Sequence, residues 1–378
     1  MSGLVTLADP VGRERVRIES IEARLLRVPL REPFVIATAR MDATRSVEVT
    51  VRLAKGQRRA FGLGEAATLP PVTREDETLV LQSVQGACAR LVGQEVDLGS
   101  DAFARELDAA FPRAPVARSG VEVALLDACA KLAGLPLRAL LGGLRGKETT
   151  RLTTDITLPI SEPHRMADLA RGWHALGFAI FKVKVGKDVD QDVRALEAVH
   201  AAVPGAAFRI DANAGFSARD AILLFRTLER AGLRVECYEQ PCAAGDLDAL
   251  AEVARAIEPP VIADESVASL ADLARVASAQ AADGVNLKIA KSGGLLGALA
   301  VGLEAQRRGM PLMVGGMVET RLGMTAGAHL AAALGGVPFV DLDTAWLLQD
   351  DPYAGGYRAE GPHYSLGEEP GLGIDGRP

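Results

Sequence analysis

Five charged side chains recur through the middle of this chain at nearly constant intervals. Lys184, Asp211, Glu239, Asp264 and Lys288 are separated by 27, 28, 25 and 24 residues. Each closes a short apolar run, and each interval has room for one strand, one helix and their connections. The runs cover 152–158, 179–185, 207–211, 235–239, 261–264, 284–288, 311–314 and 339–341. Amphipathic helical patterns fill 162–176, 188–203, 218–231, 294–308 and 320–334. Apolar strands alternating with helices predict a parallel sheet covered on its faces. Eight such strands in roughly 200 residues predict closure into a barrel. An open doubly wound sheet is the alternative, but no G-x-G-x-x-G follows an early strand.

The first 147 residues have a different rhythm. Stretches 16–28 and 46–53 alternate like strands, and 75–92, 100–111 and 119–133 are helical, which predicts an α+β domain. Residues 29–45 between the strands carry few regular signals and read as a long functional loop, such as a lid. After about residue 350 a tail rich in Gly and Pro is expected to fold back on the first domain.

Composition narrows the partners. A net charge of −7 and 4% aromatic residues argue against a nucleic-acid surface. Cys88, Cys129, Cys237 and Cys242 have no C-x-x-C spacing, so neither a zinc site nor a disulfide framework is indicated. The N-terminus lacks a basic start followed by an apolar core, and no apolar run approaches the ~20 residues needed to span a bilayer. A soluble, cytoplasmic protein without a membrane partner is expected.

Strand C-termini meet at one mouth of a barrel, so the five charged groups should converge. Taken singly, each has a bland reading: a helix N-cap for an aspartate, a turn for Asp211-Ala-Asn213, a solvated strand face for Lys182-Val-Lys184. Taken together, three carboxylates on adjacent strands repel unless a cation lies between them, and oxygen ligands without Cys or His suit magnesium. Lys184 ends the second strand and Lys288 the sixth, opposite each other in a ring of eight, with the acids on the arc between. A substrate carboxylate held at the acids would present its α-carbon to one lysine on each face.

The segments FKVKVG (181–186), RIDANAGF (209–216), YEQP (238–241), ADES (263–266), NLKIAKSGG (286–294) and GGMVETRLG (315–323) resemble the enolase superfamily, and within it the muconate-lactonising-enzyme subgroup. Residues 120–143 extend the resemblance into the first domain. It implies an α/β fold: a modified (β/α)7β TIM-type barrel over 148–349 with an N-terminal α+β capping domain over 1–147. It also implies one Mg²⁺ per subunit on Asp211, Glu239 and Asp264, and Lys184 and Lys288 as an acid/base pair. Lys182 would lie beside the substrate carboxylate, Asn213 near the metal shell, and Glu319 at the end of the seventh strand. Barrels of this family often assemble, so a homo-oligomer is expected. The chemistry suits the residue types. A proton α to a carboxylate is weakly acidic, and a metal stabilises the enediolate left when it departs. A lysine acting as base has to be neutral, with a pKa drawn down toward ~7–8.

The subgroup includes cycloisomerases, o-succinylbenzoate synthases, N-acylamino acid racemases and dipeptide epimerases. Asp341 and Asp343 lie two apart at the end of the eighth strand, hence on one face. If that face points inward, the two acids would seek a positive group such as the free ammonium of a dipeptide. An Asp-x-Asp at this place is similar to the dipeptide epimerases. The alternative is that one aspartate caps a helix starting near Thr344. The expected reaction is therefore epimerisation of an L,L-dipeptide at its C-terminal residue, with N-acylamino acid racemase, o-succinylbenzoate synthase and cycloisomerase activities as alternatives. Ala-Glu epimerases of the family can carry an arginine in the capping loop. That position falls on Ala39, with Arg40 beside it, so the preferred side chains stay open. Met317 is a further candidate at the substrate, while Met310, Met313 and Met324 read as packing. Gly293-Gly294 reads as a tight turn rather than a phosphate site, and His329 is the one histidine near the predicted mouth.

Overall fold

The computed structural model describes residues 15–97, 100–142 and 150–374. The domain boundary expected at 147 and the first 14 residues lie outside that range.

The N-terminal part is an antiparallel sheet backed by helices. Its strands are β1 (Val16–Leu26), β2 (Pro29–Val35), β3 (Arg40–Ala43), β4 (Ser46–Lys55), β5 (Arg58–Ala67) and β6 (Glu95–Val96). Its helices are α1 (Glu77–Leu91), α2 (Asp101–Ala110), α3 (Pro115–Ala133) and the short α4 (Leu137–Leu140). The main sheet has the order β5-β4-β1-β6. Strand β5 carries no β-branched alternation, because its inward positions are Gly62 and Gly64. A Cβ there would fall 2.0 Å from Ala124 O and 2.1 Å from Gly120 O of α3. The glycines let the helix backbone rest directly on the strand. Residues 29–45 are not an irregular loop. They form the hairpin β2–β3, whose tip closes with Ile36 N–H donating to Ala39 O (3.0 Å).

Strand β7 (Arg151–Thr153) precedes the barrel. The barrel strands are β8 (Ile156–Leu158), β9 (Ile180–Lys184), β10 (Ala207–Asp211), β11 (Arg234–Glu239), β12 (Val261–Ala263), β13 (Gly284–Leu287), β14 (Leu312–Gly315) and β15 (Phe339–Asp341). They pair in sequence order and parallel throughout. Between them run α5 (Pro163–Ala175), α6 (Val189–Ala202), α7 (Ala218–Arg230), α8 (Leu247–Ala256), α9 (Leu270–Ser278), α10 (Leu295–Arg307) and α11 (Arg321–Leu334). This is the (β/α)7β order. The seam between β15 and β8 is bridged by Asp155 N–H donating to Val340 O (3.2 Å) and Leu342 N–H to Thr154 Oγ1 (2.9 Å).

The first expected barrel strand, 152–158, is broken at Thr154-Asp155 into β7 and β8. Strand β7 leaves the barrel to pair antiparallel with the tail hairpin β16 (Tyr357–Glu360)–β17 (His363–Leu366), which follows the short helix α12 (Thr344–Leu347). Farther along the tail, Leu372 N–H donates to Asp127 Oδ1 of α3 and Gly371 O accepts from Leu137 N–H.

Candidate active site

Strand alternation delivers the site. In β9, Phe181 and Val183 join the hydrophobic core beneath the helices, whereas Lys182 and Lys184 turn into the barrel. Register sets Lys184 beside Asp211 and Asp211 beside Glu239. Asp264 and Lys288 follow directly on β12 and β13. Lys184 Nζ donates to Asp211 Oδ2 (2.5 Å), Lys288 Nζ to Asp264 Oδ2 (2.6 Å), and Asn286 Nδ2 to Glu239 Oε1 (2.7 Å). Lys182 Nζ lies 2.6 Å from both Glu239 Oε2 and Asp341 Oδ2, and 3.1 Å from Asp211 Oδ2.

The cap and solvated-face readings fail on these particulars, whereas the turn does form, with Asn213 N–H donating to Asp211 Oδ1 (3.0 Å) while Asp211 Oδ2 faces Lys184. Ser217 and Ser269, not Asp211 or Asp264, cap the helices that follow. Lys182 is 1% exposed, so its strand face is not solvated.

Sequence reasoning missed several members of the cluster. Lys291 Nζ holds Asp264 through Oδ1 (2.6 Å) and the backbone carbonyl (2.5 Å). Glu265 Oε1 accepts from Asn213 Nδ2 at 3.3 Å. Asn286 stands two residues before Lys288, so period-two alternation could have found it.

Charge is dense here. Burial works against ionised Asp211, but Lys184, Lys182 and Lys288 outweigh it and hold that carboxyl below its usual range. Asp264 is likewise held down, chiefly by Lys288 and Lys291 against the pull of burial. Burial, reinforced by Asp211, pushes Glu239 up to about 7. Burial tends to lower Lys288, yet Asp264 and Glu239 prevail and keep it above the ordinary lysine value. That is opposite to the direction a base needs, and the cause is the ion pair with Asp264.

The donor set suits a hard cation. Asp211, Glu239 and Asp264 offer oxygen alone. Asn213 Oδ1 and Glu265 Oε2 are buried without a hydrogen-bond partner, and Glu239 Oε2 has only its ion pair with Lys182. Mg²⁺ fits such ligands, and these three carboxylates would hold it.

A second group of acids closes the other side. Among the described residues, the three acids that gather with one oxygen each all within 4.8 Å of one another are Asp155, Asp341 and Asp343, not the three expected metal ligands. The reason is that lysines are interleaved among Asp211, Glu239 and Asp264. Asp155 was not singled out from the sequence. Its Oδ2 accepts from Arg209 Nη1 (2.8 Å), a partner 54 residues away. Asp343 does occupy the N-cap position of α12, but its side chain makes no capping bond. Its Oδ2 instead accepts from Thr157 N–H across the seam (2.5 Å). Burial and then Asp341 push Asp343 up to about 7. Asp155 Oδ1 and Asp343 Oδ1 remain without partners. Gly315, on the inward face of β14, keeps this corner open: a Cβ there would meet Asp341 Oδ2 at 3.0 Å and Asn286 Nδ2 at 3.1 Å.

Between the two groups lies a cavity of about 20 Å³. Lys184, Lys288, Asn213, Asp341 and Asp343 line it from the barrel, Met317 and Val318 from the connection after β14, and Phe34, Leu69 and Val72 from the cap. Two candidates lie elsewhere. Glu319 turns away from the cavity, its Oε1 accepting from Met317 N–H (2.7 Å), and faces Glu65 of the cap. Arg40 is 60% exposed and pairs with exposed Asp42 at 3.1 Å, because the hairpin tip directs that strand's side chain outward. His329 is buried in α11, where Nδ1 accepts from Arg138 N–H. Trp346 packs against Phe178 and donates to Tyr364 OH (3.0 Å). Ahead of α10, where Gly293-Gly294 could have held a phosphate, the Glu122 carboxylate accepts from Leu296 N–H (2.9 Å).

Comparison with known proteins agrees with the fold. Residues 20–142 match the mandelate racemase/muconate lactonizing enzyme N-terminal domain, and 165–378 match the enolase C-terminal domain-like family. The chain is 37% identical over 362 residues to an L-Ala-D/L-amino acid epimerase of Populus trichocarpa, covering 94% of this chain and 84% of the relative. It superposes with a TM-score of 0.89 on a substrate-liganded L-Ala-D/L-Glu epimerase from Bacillus subtilis, at 33% identity, covering 96% of this chain and 99% of that one. With a dipeptide epimerase from Enterococcus faecalis complexed with Mg and L-Leu-L-Tyr, the TM-score is 0.86 at 30% identity, over 95% of this chain and 99% of that one.

Proposed function

Because the chain belongs to the mandelate racemase/muconate lactonizing enzyme family of the enolase superfamily, we propose that it is a Mg²⁺-dependent dipeptide epimerase that inverts the α-carbon of the C-terminal residue. One observation carries the reading: Lys184 and Lys288 face a single cavity whose acids, among the described residues, are Asp341 and Asp343. Two bases suit proton exchange at one carbon, and two adjacent carboxylates, one of them with an unpartnered oxygen on Asp343, suit a substrate ammonium.

Bound at Asp211, Glu239 and Asp264, Mg²⁺ would supply Lewis-acid stabilisation of the charge that develops on the substrate carboxylate. Lys184 Nζ removes the α-proton of one antipode, and Lys288 Nζ returns a proton to the opposite face. The reverse reaction exchanges their roles, so one proton leaves and one arrives in each direction. Lys182, against Asp211, Glu239 and Asp341, adds a fixed positive charge beneath the carboxylate. Asp341 and Asp343 orient the ammonium.

The test is incubation with Mg²⁺ and L-Ala-L-Leu in D₂O. One deuterium at the C-terminal α-carbon together with the L,D product supports the proposal. N-succinyl-leucine, which has no ammonium, should react far more slowly. Lys184→Ala and Lys288→Ala should each abolish inversion, and near-normal epimerisation by either variant would sink the two-base scheme.

A further inference from the structure

Which side chain the substrate carries at the inverted carbon can be argued from the cavity walls, granting the epimerase reading above. During inversion the α-carbon passes through a planar state, and protons leave and arrive along the line between Lys184 and Lys288. The three heavier substituents lie in the plane across that line. Asp211, Glu239 and Asp264 claim the direction of the carboxylate, and Asp341 and Asp343, on β15 and just after it, claim the nitrogen side. Below, the barrel is filled by Lys182, 1% exposed and hemmed by three acids. The side chain is left only the direction out of the barrel, toward the cap.

The wall it meets there is apolar. The cap contributes Phe34 from β2 and Leu69 and Val72 from the segment after β5, with Met317 and Val318 adjoining from the barrel. The Phe34 ring lies 5.8 Å from Lys184 Nζ, which sets it beside the reacting carbon. No arginine lines this cavity among the described residues, and its lysines are the two proposed bases. The nearby hairpin arginines are committed elsewhere: Arg40 to Asp42, and Arg31 Nε to Leu348 O at 2.8 Å. A carboxylate or ammonium pressed against Phe34, Leu69 and Val72 would lose water and gain no partner. An aliphatic or aromatic group would gain by burial.

We propose that the enzyme selects dipeptides whose C-terminal residue is aliphatic or aromatic and discriminates against glutamate and other charged residues. The experiment is a library of L-Ala-L-Xaa dipeptides with Mg²⁺ in D₂O, read by mass. Leu, Met and Phe members should exchange with kcat/KM at least about tenfold above Glu, Asp, Lys and Arg members. Exchange of Ala-Glu as fast as Ala-Leu would overturn the selectivity and leave the epimerase reading standing. No deuterium in any dipeptide would overturn the epimerase reading, and the selectivity with it. A second measurement addresses the wall itself. Val72 is half-buried, so Val72→Arg can place a guanidinium at the rim. This variant should raise the Ala-Glu to Ala-Leu ratio of kcat/KM about tenfold or more. An unchanged ratio with Ala-Leu still turned over would remove Val72 from the side-chain wall.

Discussion

Asp343 and Glu319 are both buried acids that follow neighbouring barrel strands, and both are pushed upward by burial. Their surroundings give them different work. Asp343 faces the cavity with an unpartnered oxygen beside Asp341. The double variant Asp341→Asn/Asp343→Asn should fold, yet lose about 100-fold or more in kcat/KM for dipeptides, since two charge-assisted contacts disappear. Unchanged dipeptide kinetics would remove the ammonium assignment. Glu319 faces Glu65, and burial followed by Glu65 pushes it to about 8, so it stays protonated in the folded protein at neutral pH. A raised folded-state value means that this group's stabilisation is complete below about 4.5 and is lost as pH climbs to about 8. Glu319→Gln is isosteric and escapes the loss. The variant should match the wild type in activity and in melting temperature near pH 5, and exceed its stability by on the order of 1–3 kcal/mol at pH 9. Loss of turnover would mean that Glu319 takes part in the chemistry after all.

Among elements, what the sequence made legible follows from period. Strands β9 to β13 could be read because each ends on, or is followed at once by, a charged residue at a nearly regular spacing, and convergence of those charges is a consequence of barrel geometry. Hairpin β2–β3 could not, because its order comes from distant partners. Gln349 N–H donates to Pro29 O (2.9 Å), Arg31 Nε to Leu348 O (2.8 Å), and Ile160 N–H to Val35 O (2.9 Å). The Glu65 carboxylate was equally hidden. It caps α11 from the other domain, accepting from Thr320 Oγ1 (2.6 Å), Thr320 N–H (3.1 Å) and Gly323 N–H (3.1 Å), 255 or more residues away. The Asp155–Arg209 pair failed to register for the same reason. The hairpin's tethers make a prediction of their own. Arg31→Ala removes one of them at the protein surface, so it should change the melting temperature little. It should raise KM for an apolar dipeptide several-fold, because Phe34 is on the same hairpin and covers Lys184. A proportional fall in kcat at constant KM would instead assign Arg31 to the chemical step.

Taken whole, the molecule encloses a concentration of charge that the cap covers with apolar side chains. Asp211, Glu239, Asp264 and Glu265 are matched by Lys182, Lys184 and Lys288, all buried, and by half-buried Lys291. Since each acid already faces a cation or an amide donor, the fold does not depend on a metal in the way a small zinc domain does. Chelation with EDTA should therefore leave the circular dichroism spectrum native. Metal binding is nonetheless linked to stability, because a cation that binds the folded chain and not the unfolded one stabilises it by mass action. At a free concentration 100 times its Kd, Mg²⁺ should add about 2.7 kcal/mol, read as a rise in melting temperature that saturates with concentration. Asp264→Asn should abolish that rise and still fold, because Lys288 can donate to the amide oxygen and Lys291 keeps the backbone carbonyl of residue 264. A wild-type melting temperature indifferent to millimolar Mg²⁺ would contradict the assignment of these three carboxylates as its ligands. A saturable rise that persists unchanged in Asp264→Asn would move the ion to other oxygens, of which Asp155, Asp341 and Asp343 are the next group close enough to share one.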